Sequence, residues 1–514
     1  MNAAVRGKGW ALALIALLCA FAFLGSRPIW DPDEGRYSNV ALMMLDTGNW
    51  LDLARHYETG HWTKPPLTYW LAASSMKAFG VSPWAARLPV ALAYLACVLC
   101  VALAARRLWP GAGALGGLVY ATMALPVLAA QVLTTDFVLA AFQVAAMCAF
   151  VEARFGPRRH AQGALLAMWA LFALAFMAKG PPALLPLLAV IAMQWLAPME
   201  KPLRWPSWLA GVAVFALLAS PWFWFVIGRH DGLLAYFLGT EVVARVAGDM
   251  DRNGQWYGWL AVYAPTLLLG ALPWTPALLR WCAGLRERLR RWRDAERRQA
   301  DASMLLLALW VALPLAVFCL ARSRLPLYVL PLFAPLALIV AGQRRAEGRG
   351  WPKAGLLVAW LALLVALRFG MSVFPTHKDA SAWADAIRER TDAPVDEVVF
   401  VEDMARYGLH LYLGAQIEKV SLAPGGRVGF MPGVDGDLAE ELDEHDHAAT
   451  LWIARAEQMP EIDETAARLG WRVETLGAPY QGRAMFRVHR QAWAAASADR
   501  EIEEWPETKE SPLP

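Results

Sequence analysis

Long apolar runs, each ended by a short polar or basic stretch, fill the first 370 residues of the chain. A helix needs about 20 mostly apolar residues to cross the hydrocarbon of a bilayer. Eleven runs come near that length: 9–25, 83–105, 112–132, 136–153, 162–178, 182–198, 207–227, 257–280, 303–321, 326–342 and 354–370. Shorter and more polar stretches at 37–57 and 65–80 suit the membrane interface, and two further spans could hide there. The pattern predicts a multi-pass α-helical membrane protein of about 11–13 spans. The first run follows Arg6 and Lys8 and has no clear small-x-small cleavage site. It reads as a retained anchor.

Beyond residue 370 the period changes. VVFV (398–401), TLWIAR (450–455), WRVETL (471–476) and AMFRVHR (484–490) read as strands, and 378–390 and 458–469 as helices. Three parts follow: a transmembrane domain at 1–370 with a first outer loop at 26–82, a small α/β domain at 371–490, and an acidic tail at 491–514 of disordered composition.

Composition sharpens this. The chain is 58% hydrophobic and 18% charged, against about 45–50% and 25% in soluble domains. An ordinary soluble enzyme is excluded, and 26 tryptophans suit interfacial belts. The net charge of +3 hides an asymmetry: 34 basic and 18 acidic residues up to 370, but 14 basic and 27 acidic after it. The basic residues stand in short clusters between apolar runs, so nucleic acid is not an expected partner. The six cysteines lie in apolar runs or at the end of one and read as buried apolar side chains.

With the N-terminus in the cytoplasm, the basic clusters Arg106–Arg107, Arg154–Arg159, Lys201–Arg204, Arg280–Arg298 and Arg344–Lys353 all fall inside, as the positive-inside rule requires. The unusual residues then collect outside. Trp30-Asp31-Pro32-Asp33-Glu34-Gly35-Arg36-Tyr37 places three carboxylates beside a span, where they are costly unless paired. The bland reading is a charged first turn of a helix. Lys64 in TKPP and Lys179 in KGPP each stand beside a Pro pair that fixes the local backbone. Each is either a snorkelling anchor or an anion ligand. Asp136 opens a span as a cap or as a second site carboxylate. Glu241 and Arg245 are spaced to pair on a helix, and Arg324 and Tyr328 border a short outer turn. His56, Glu58 and His61 have a spacing that suits a metal, although loop histidines are more often solvated.

DPDEGRY, GNWL, TKPPLTYWL, TTD, AKGPP and SRLPLYVLP occur in that order on one face. This combination resembles the bacterial polyprenyl-phosphate-dependent glycosyltransferases of GT-C fold. Within them it is most similar to the lipid A aminoarabinose transferases and their protein O-mannosyltransferase relatives. The resemblance covers about residues 27–340. It implies catalytic roles for Asp33, Glu34 and Asp136. It also implies a donor-phosphate set of Lys64, Lys179, Arg245, Tyr328 and Arg324, supported by Arg36, Tyr37 and Glu241. Thr63 and Val242 depart from family positions linked to metal binding, so no metal ligand set is expected there, and a divalent metal is the only cofactor left in view.

The implied activity is inverting transfer of a sugar from a polyprenyl (undecaprenyl) phosphate to lipid A or another envelope acceptor, on the periplasmic face of the inner membrane. One alternative is transfer of mannose or another sugar to protein or glycan. Another is a transporter or flippase for lipid-linked sugar, which would carry ionisable residues deep within its spans. A non-catalytic sensor would not need two outer lysines beside Pro pairs.

Overall fold

The computed structural model describes residues 3–200, 203–244, 253–423, 430, 432–443 and 447–490. Arg245 and the acidic tail lie outside these residues. Among the described residues, seven helices are long and apolar enough to cross a membrane: Pro83–Leu108, Thr135–Phe155, Arg158–Lys179, Trp205–Ile227, Ala302–Leu320, Pro326–Ala346 and Ala354–Val373. Of the other four apolar runs, the first lies in helix Ala3–Phe21 and the remaining three are broken rather than straight. Pro181–Leu196 is a shorter apolar stretch, and Gly258–Gly270 and Thr275–Ala283 meet at 115°.

Each break has a local cause. Run 112–132 divides into Gly113–Ala121 and Ala124–Ala129. Pro126 lacks an amide hydrogen and is tolerated only in the opening turn of the second piece. The break exposes polar groups that water cannot reach, and two indoles satisfy them. Trp274 Nε1 donates to Thr122 Oγ1 at 2.9 Å, and Trp360 Nε1 donates to the Thr122 carbonyl at 2.8 Å. Pro181, Pro182 and Pro186 likewise turn the start of run 182–198 into a 3₁₀ turn, leaving helix Leu187–Leu196. By contrast, helix Pro83–Leu108 has its start fixed by Ser82, whose hydroxyl accepts the Ala85 N–H at 3.2 Å.

Helices Thr135–Phe155 and Pro326–Ala346 are mostly buried inside the bundle, whereas Ala354–Val373 and Trp205–Ile227 are apolar on nearly every side and largely uncovered. That is the pattern of lipid-facing helices. Trp195, Trp224 and Trp256 also project outward.

The first loop is folded, not irregular. It carries helices Asp33–Thr47 and Leu67–Phe79, both packed into the main core.

The C-terminal part is a six-stranded sheet of β1 (Glu397–Val401), β2 (Gln416–Ser421), β3 (Gly436–Asp437), β4 (Thr450–Arg455), β5 (Trp471–Thr475) and β6 (Arg483–Arg490). Their order is β3-β2-β1-β4-β6-β5. The first four run parallel, and β6 and β5 close the sheet antiparallel. A strand covered on both faces needs apolar residues at every position. In β1, Val398 and Phe400 enter one core with Trp383 and Ile387, while Val399 and Val401 enter another with Trp452 and Ile462. All four strands expected from the sequence are present. β2 escapes prediction because Glu418 and Lys419 interrupt its apolar run.

The sheet domain is clamped to the first loop. Asp31 N donates to Lys378 O at 2.9 Å, Ala380 N to Ile29 O at 3.1 Å, and Ile29 N to the Tyr412 hydroxyl at 2.9 Å. Arg55 Nη2 donates to Asp435 Oδ1 at 2.7 Å and to the Pro432 carbonyl at 2.9 Å.

Candidate active site

The start of helix Asp33–Thr47 lies where the bundle, the first loop and the sheet domain meet. Its three carboxylates have three fates. Asp31 is buried, and its Oδ1 accepts the Gly408 N–H at 3.0 Å. A Cβ at Gly35 would run into that carboxylate and the Gly408 amide, so only glycine permits the approach. Burial pushes Asp31 up to about 7, against the Gly408 hydrogen bond and the Arg406 charge, which pull it down.

Glu34 is also buried, and five donors converge on its two oxygens. Arg87 Nε and Leu133 N reach Oε1 at 2.8 and 2.9 Å. Arg87 Nη2, Arg27 Nη2 and Trp30 N reach Oε2 at 2.9, 2.7 and 3.2 Å. Burial works to raise the pKa of Glu34, but the charges of Arg87 and Arg27 outweigh it and hold the group at about 2. A carboxylate committed in this way braces structure. That leaves Asp33 as the stronger candidate for a reacting group. Asp33 alone faces outward, with its side chain 62% exposed and its Oδ1 accepting from Arg36 Nη2 at 2.8 Å.

The next pair comes from a helical hairpin. Helices Thr135–Phe155 and Ala161–Lys179 run antiparallel through a turn at Gly156 and Pro157. Asp136 in the first turn of one therefore meets Lys179 at the end of the other. Each charge also suits its own helix terminus. The two form an ion pair, each side chain about nine-tenths buried. Lys179 Nζ also lies 4.4 Å from the ring centroid of Tyr328. Lys64 Nζ donates to Glu241 Oε2 at 3.1 Å, and the Tyr236 hydroxyl donates to Glu241 Oε1 at 3.2 Å.

Tyr37 and Tyr69 sit between these charges, both buried, with ring centroids 5.8 Å apart. Burial raises the Tyr37 phenol, and the charges of Arg36, Lys179, Asp136 and Asp33 all bear on it. His61 Nε2 contacts the Tyr69 hydroxyl at 2.8 Å and the Thr63 hydroxyl at 3.0 Å. Burial first, then Arg36, Arg55 and Lys64, hold His61 well below its ordinary value, so the imidazole is neutral. Asp33, Arg36, Tyr37, Lys64, Asp136, Lys179, Glu241 and Tyr328 are thus brought into one region from six separate stretches of chain.

Arg324 does not join them. It is buried, and its guanidinium donates to the carbonyls of Asn253, Gln255 and Cys319 at 2.8 to 3.0 Å. It clamps the backbone beside the outer loop. His56, Glu58 and His61 do not form one cluster. His61 turns inward, Glu58 is exposed, and His56 faces the sheet domain. At the positions that the resemblance links to metal, Thr63 bonds to His61 and residue 242 is a valine, a residue type with no donor atom, so these residues do not fit a metal.

Arg27 and Arg87 were missed by sequence reasoning. Arg87 had a signal: it is a lone arginine in the opening turns of an apolar span, shortly after three unpaired carboxylates. Arg27 and Tyr69 had none.

Comparison with known proteins agrees with this architecture. Residues 63–225 match a family model described as dolichyl-phosphate-mannose-protein mannosyltransferase. An undecaprenyl phosphate-alpha-4-amino-4-deoxy-L-arabinose arabinosyl transferase from Pseudomonas aeruginosa is 31% identical over 72% of this chain and 67% of its own. One named arabinosyl transferase 2, from Pseudomonas fluorescens, is 31% identical over 70% of this chain and 64% of its own. Another of that name, from Sodalis glossinidius, is 33% identical over 64% of this chain. The chain spans 64% and 58% of the length of these last two. The crystal structure of ArnT from Cupriavidus metallidurans bound to undecaprenyl phosphate superposes with a TM-score of 0.74 at 19% identity, over 93% of this chain and 98% of that one.

The fold is that of the GT-C membrane glycosyltransferases, with a C-terminal α/β domain. Within that class, the chain belongs to the undecaprenyl phosphate-aminoarabinose arabinosyl transferase family.

Proposed function

We propose that the protein transfers 4-amino-4-deoxy-L-arabinose from undecaprenyl phosphate to lipid A. The site would lie at the periplasmic rim of the bacterial inner membrane. The observation that carries this reading is the gathering of Arg36 and Lys179 around buried Tyr37, beside the outward-facing Asp33, with Lys64 close to the neighbouring His61.

The leaving group of such a donor is undecaprenyl phosphate: the phosphodiester becomes a monoester and gains negative charge, which needs fixed cations near the bilayer surface. Glu241 and Asp136 orient Lys64 and Lys179 for that role. Tyr328 flanks Lys179, and the apolar helices hold the prenyl chain. The acceptor oxygen attacks the anomeric carbon, its bond to the phosphate oxygen breaks, and the anomeric centre inverts. Asp33 orients the acceptor, and takes the proton if the acceptor is a hydroxyl. A cavity of about 400 Å³ next to Pro32 and Arg36 is consistent with an anionic acceptor, since Arg36, Arg55, Lys419 and Arg455 line it and outnumber Glu402 and Asp403.

The test is reconstitution in liposomes with the undecaprenyl-phosphate-linked aminosugar and lipid A, read by mass spectrometry. Asp33→Asn is expected to lower transfer at least about 100-fold. Transfer to protein or glycan in place of lipid A, or donor crossing the bilayer without transfer, would refute the proposal.

A further inference from the structure

His56 lies in the first loop and is only 6% exposed, yet neither ring nitrogen has a hydrogen-bond partner. Burying an imidazole with both nitrogens unsatisfied is costly. Its Nε2 faces two carboxylates of the sheet domain, Glu397 Oε1 at 3.5 Å and Glu418 Oε2 at 4.0 Å. Those carboxylates share one face of the sheet. Glu397 pairs with Gln416 and Val399 with Glu418, so the two stand two positions apart on neighbouring parallel strands. Glu441, which hydrogen-bonds to Glu418, and Asp435 crowd the same carboxyl group.

The spacing discriminates between explanations. Hydrogen bonds from an imidazole would bring the oxygens to about 2.9 Å. Ligands about 2.1 Å from a tetrahedral metal are separated from one another by about 3.4 Å. One ligand atom from each of the three residues lies within 4.8 Å of the others. A cation among them would satisfy the imidazole and relieve the repulsion between the glutamates. One nitrogen with two carboxylate oxygens is a donor set for zinc or a similar divalent transition metal.

We propose that His56, Glu397 and Glu418 bind a divalent transition metal of the zinc type, which staples the first loop to the C-terminal domain. Three protein ligands leave a fourth position for water. Arg55, next in the chain, already ties the loop to Asp435 and the Pro432 carbonyl, so the metal would complete a two-point clamp upstream of Lys64. The site is separate from Thr63 and Val242, and it does not depend on the sugar-transfer reading.

The test uses the full chain purified in detergent, loaded with Zn²⁺, desalted and measured by elemental analysis. About one Zn²⁺ per chain is expected, falling at least fivefold in His56→Ala and in Glu418→Gln. Glu397→Gln serves if either fails to fold. Chelator should lower the melting temperature of the wild type and leave that of the folded variants unchanged. Substoichiometric zinc in the wild type, or equal zinc in wild type and variants, would overturn the site. An unchanged wild-type melting temperature in chelator would overturn the staple. Both readouts are independent of transfer activity.

Discussion

Replacing Glu34 with glutamine separates a brace from a reacting group. The substitution keeps the shape and removes one charge. Arg27 and Arg87, 1% and 0% exposed, then share a buried site with no counter-ion. Removing one partner of a buried pair costs about 3–5 kcal/mol. The titration gives a similar size: Glu34 is held from an ordinary 4.5 down to about 2, which corresponds to about 3 kcal/mol of preference for the charged form. Spread over a chain of this length, that lowers the melting temperature by on the order of 3 °C. Intrinsic tryptophan fluorescence during a thermal ramp would follow it. Pairing Glu34→Gln with Arg87→Met should recover part of the loss, because the second change removes the stranded charge. The sign with pH follows from a depressed carboxylate pKa. The stabilisation is complete above 4.5 and is lost as pH falls towards 2. If Glu34→Gln melts with the wild type but abolishes transfer, the brace is wrong and Glu34 belongs to the chemistry.

Asp31 behaves oppositely: its pKa is raised from 3.8 to about 7. The folded state holds a proton that the unfolded state has released, so stability falls by about 1.4 kcal/mol per pH unit between 3.8 and 7. Asp31→Asn should remove that slope from the difference between melting curves taken at pH 5 and pH 7; an unchanged slope would show that Asp31 titrates normally. Lys64→Ala should raise the KM for the lipid donor about tenfold, through loss of roughly 1.5 kcal/mol of charge-assisted hydrogen bonding, and a donor KM equal to that of the wild type would remove Lys64 from the phosphate site. Lys179→Ala strands Asp136 as an unpaired buried charge, so the double variant Lys179→Met with Asp136→Asn should melt above it. Arg324→Ala should lower the melting temperature with the donor KM within about twofold of wild type, and a larger rise in KM would return Arg324 to the donor site.

The sequence by itself determined the membrane character, because runs of about 20 apolar residues can be buried only in hydrocarbon or against one another. It determined the sheet domain where strands such as β1 and β4 are apolar throughout. It also determined the order of the charged motifs along the chain. The tertiary structure decided which of those motifs meet. Asp33 and Glu34 are neighbours of the same charge, yet helix geometry turns one towards solvent and the other onto Arg27 and Arg87, residues that no local pattern links to it. Arg324 and Lys179 look alike as outer cations, but one is spent on backbone carbonyls and the other pairs with Asp136 across a helical hairpin. Periodicity reports how a segment is buried. The partners of a charge depend on packing between segments far apart in the chain, and for His56 those partners lie on a sheet that begins more than 300 residues later.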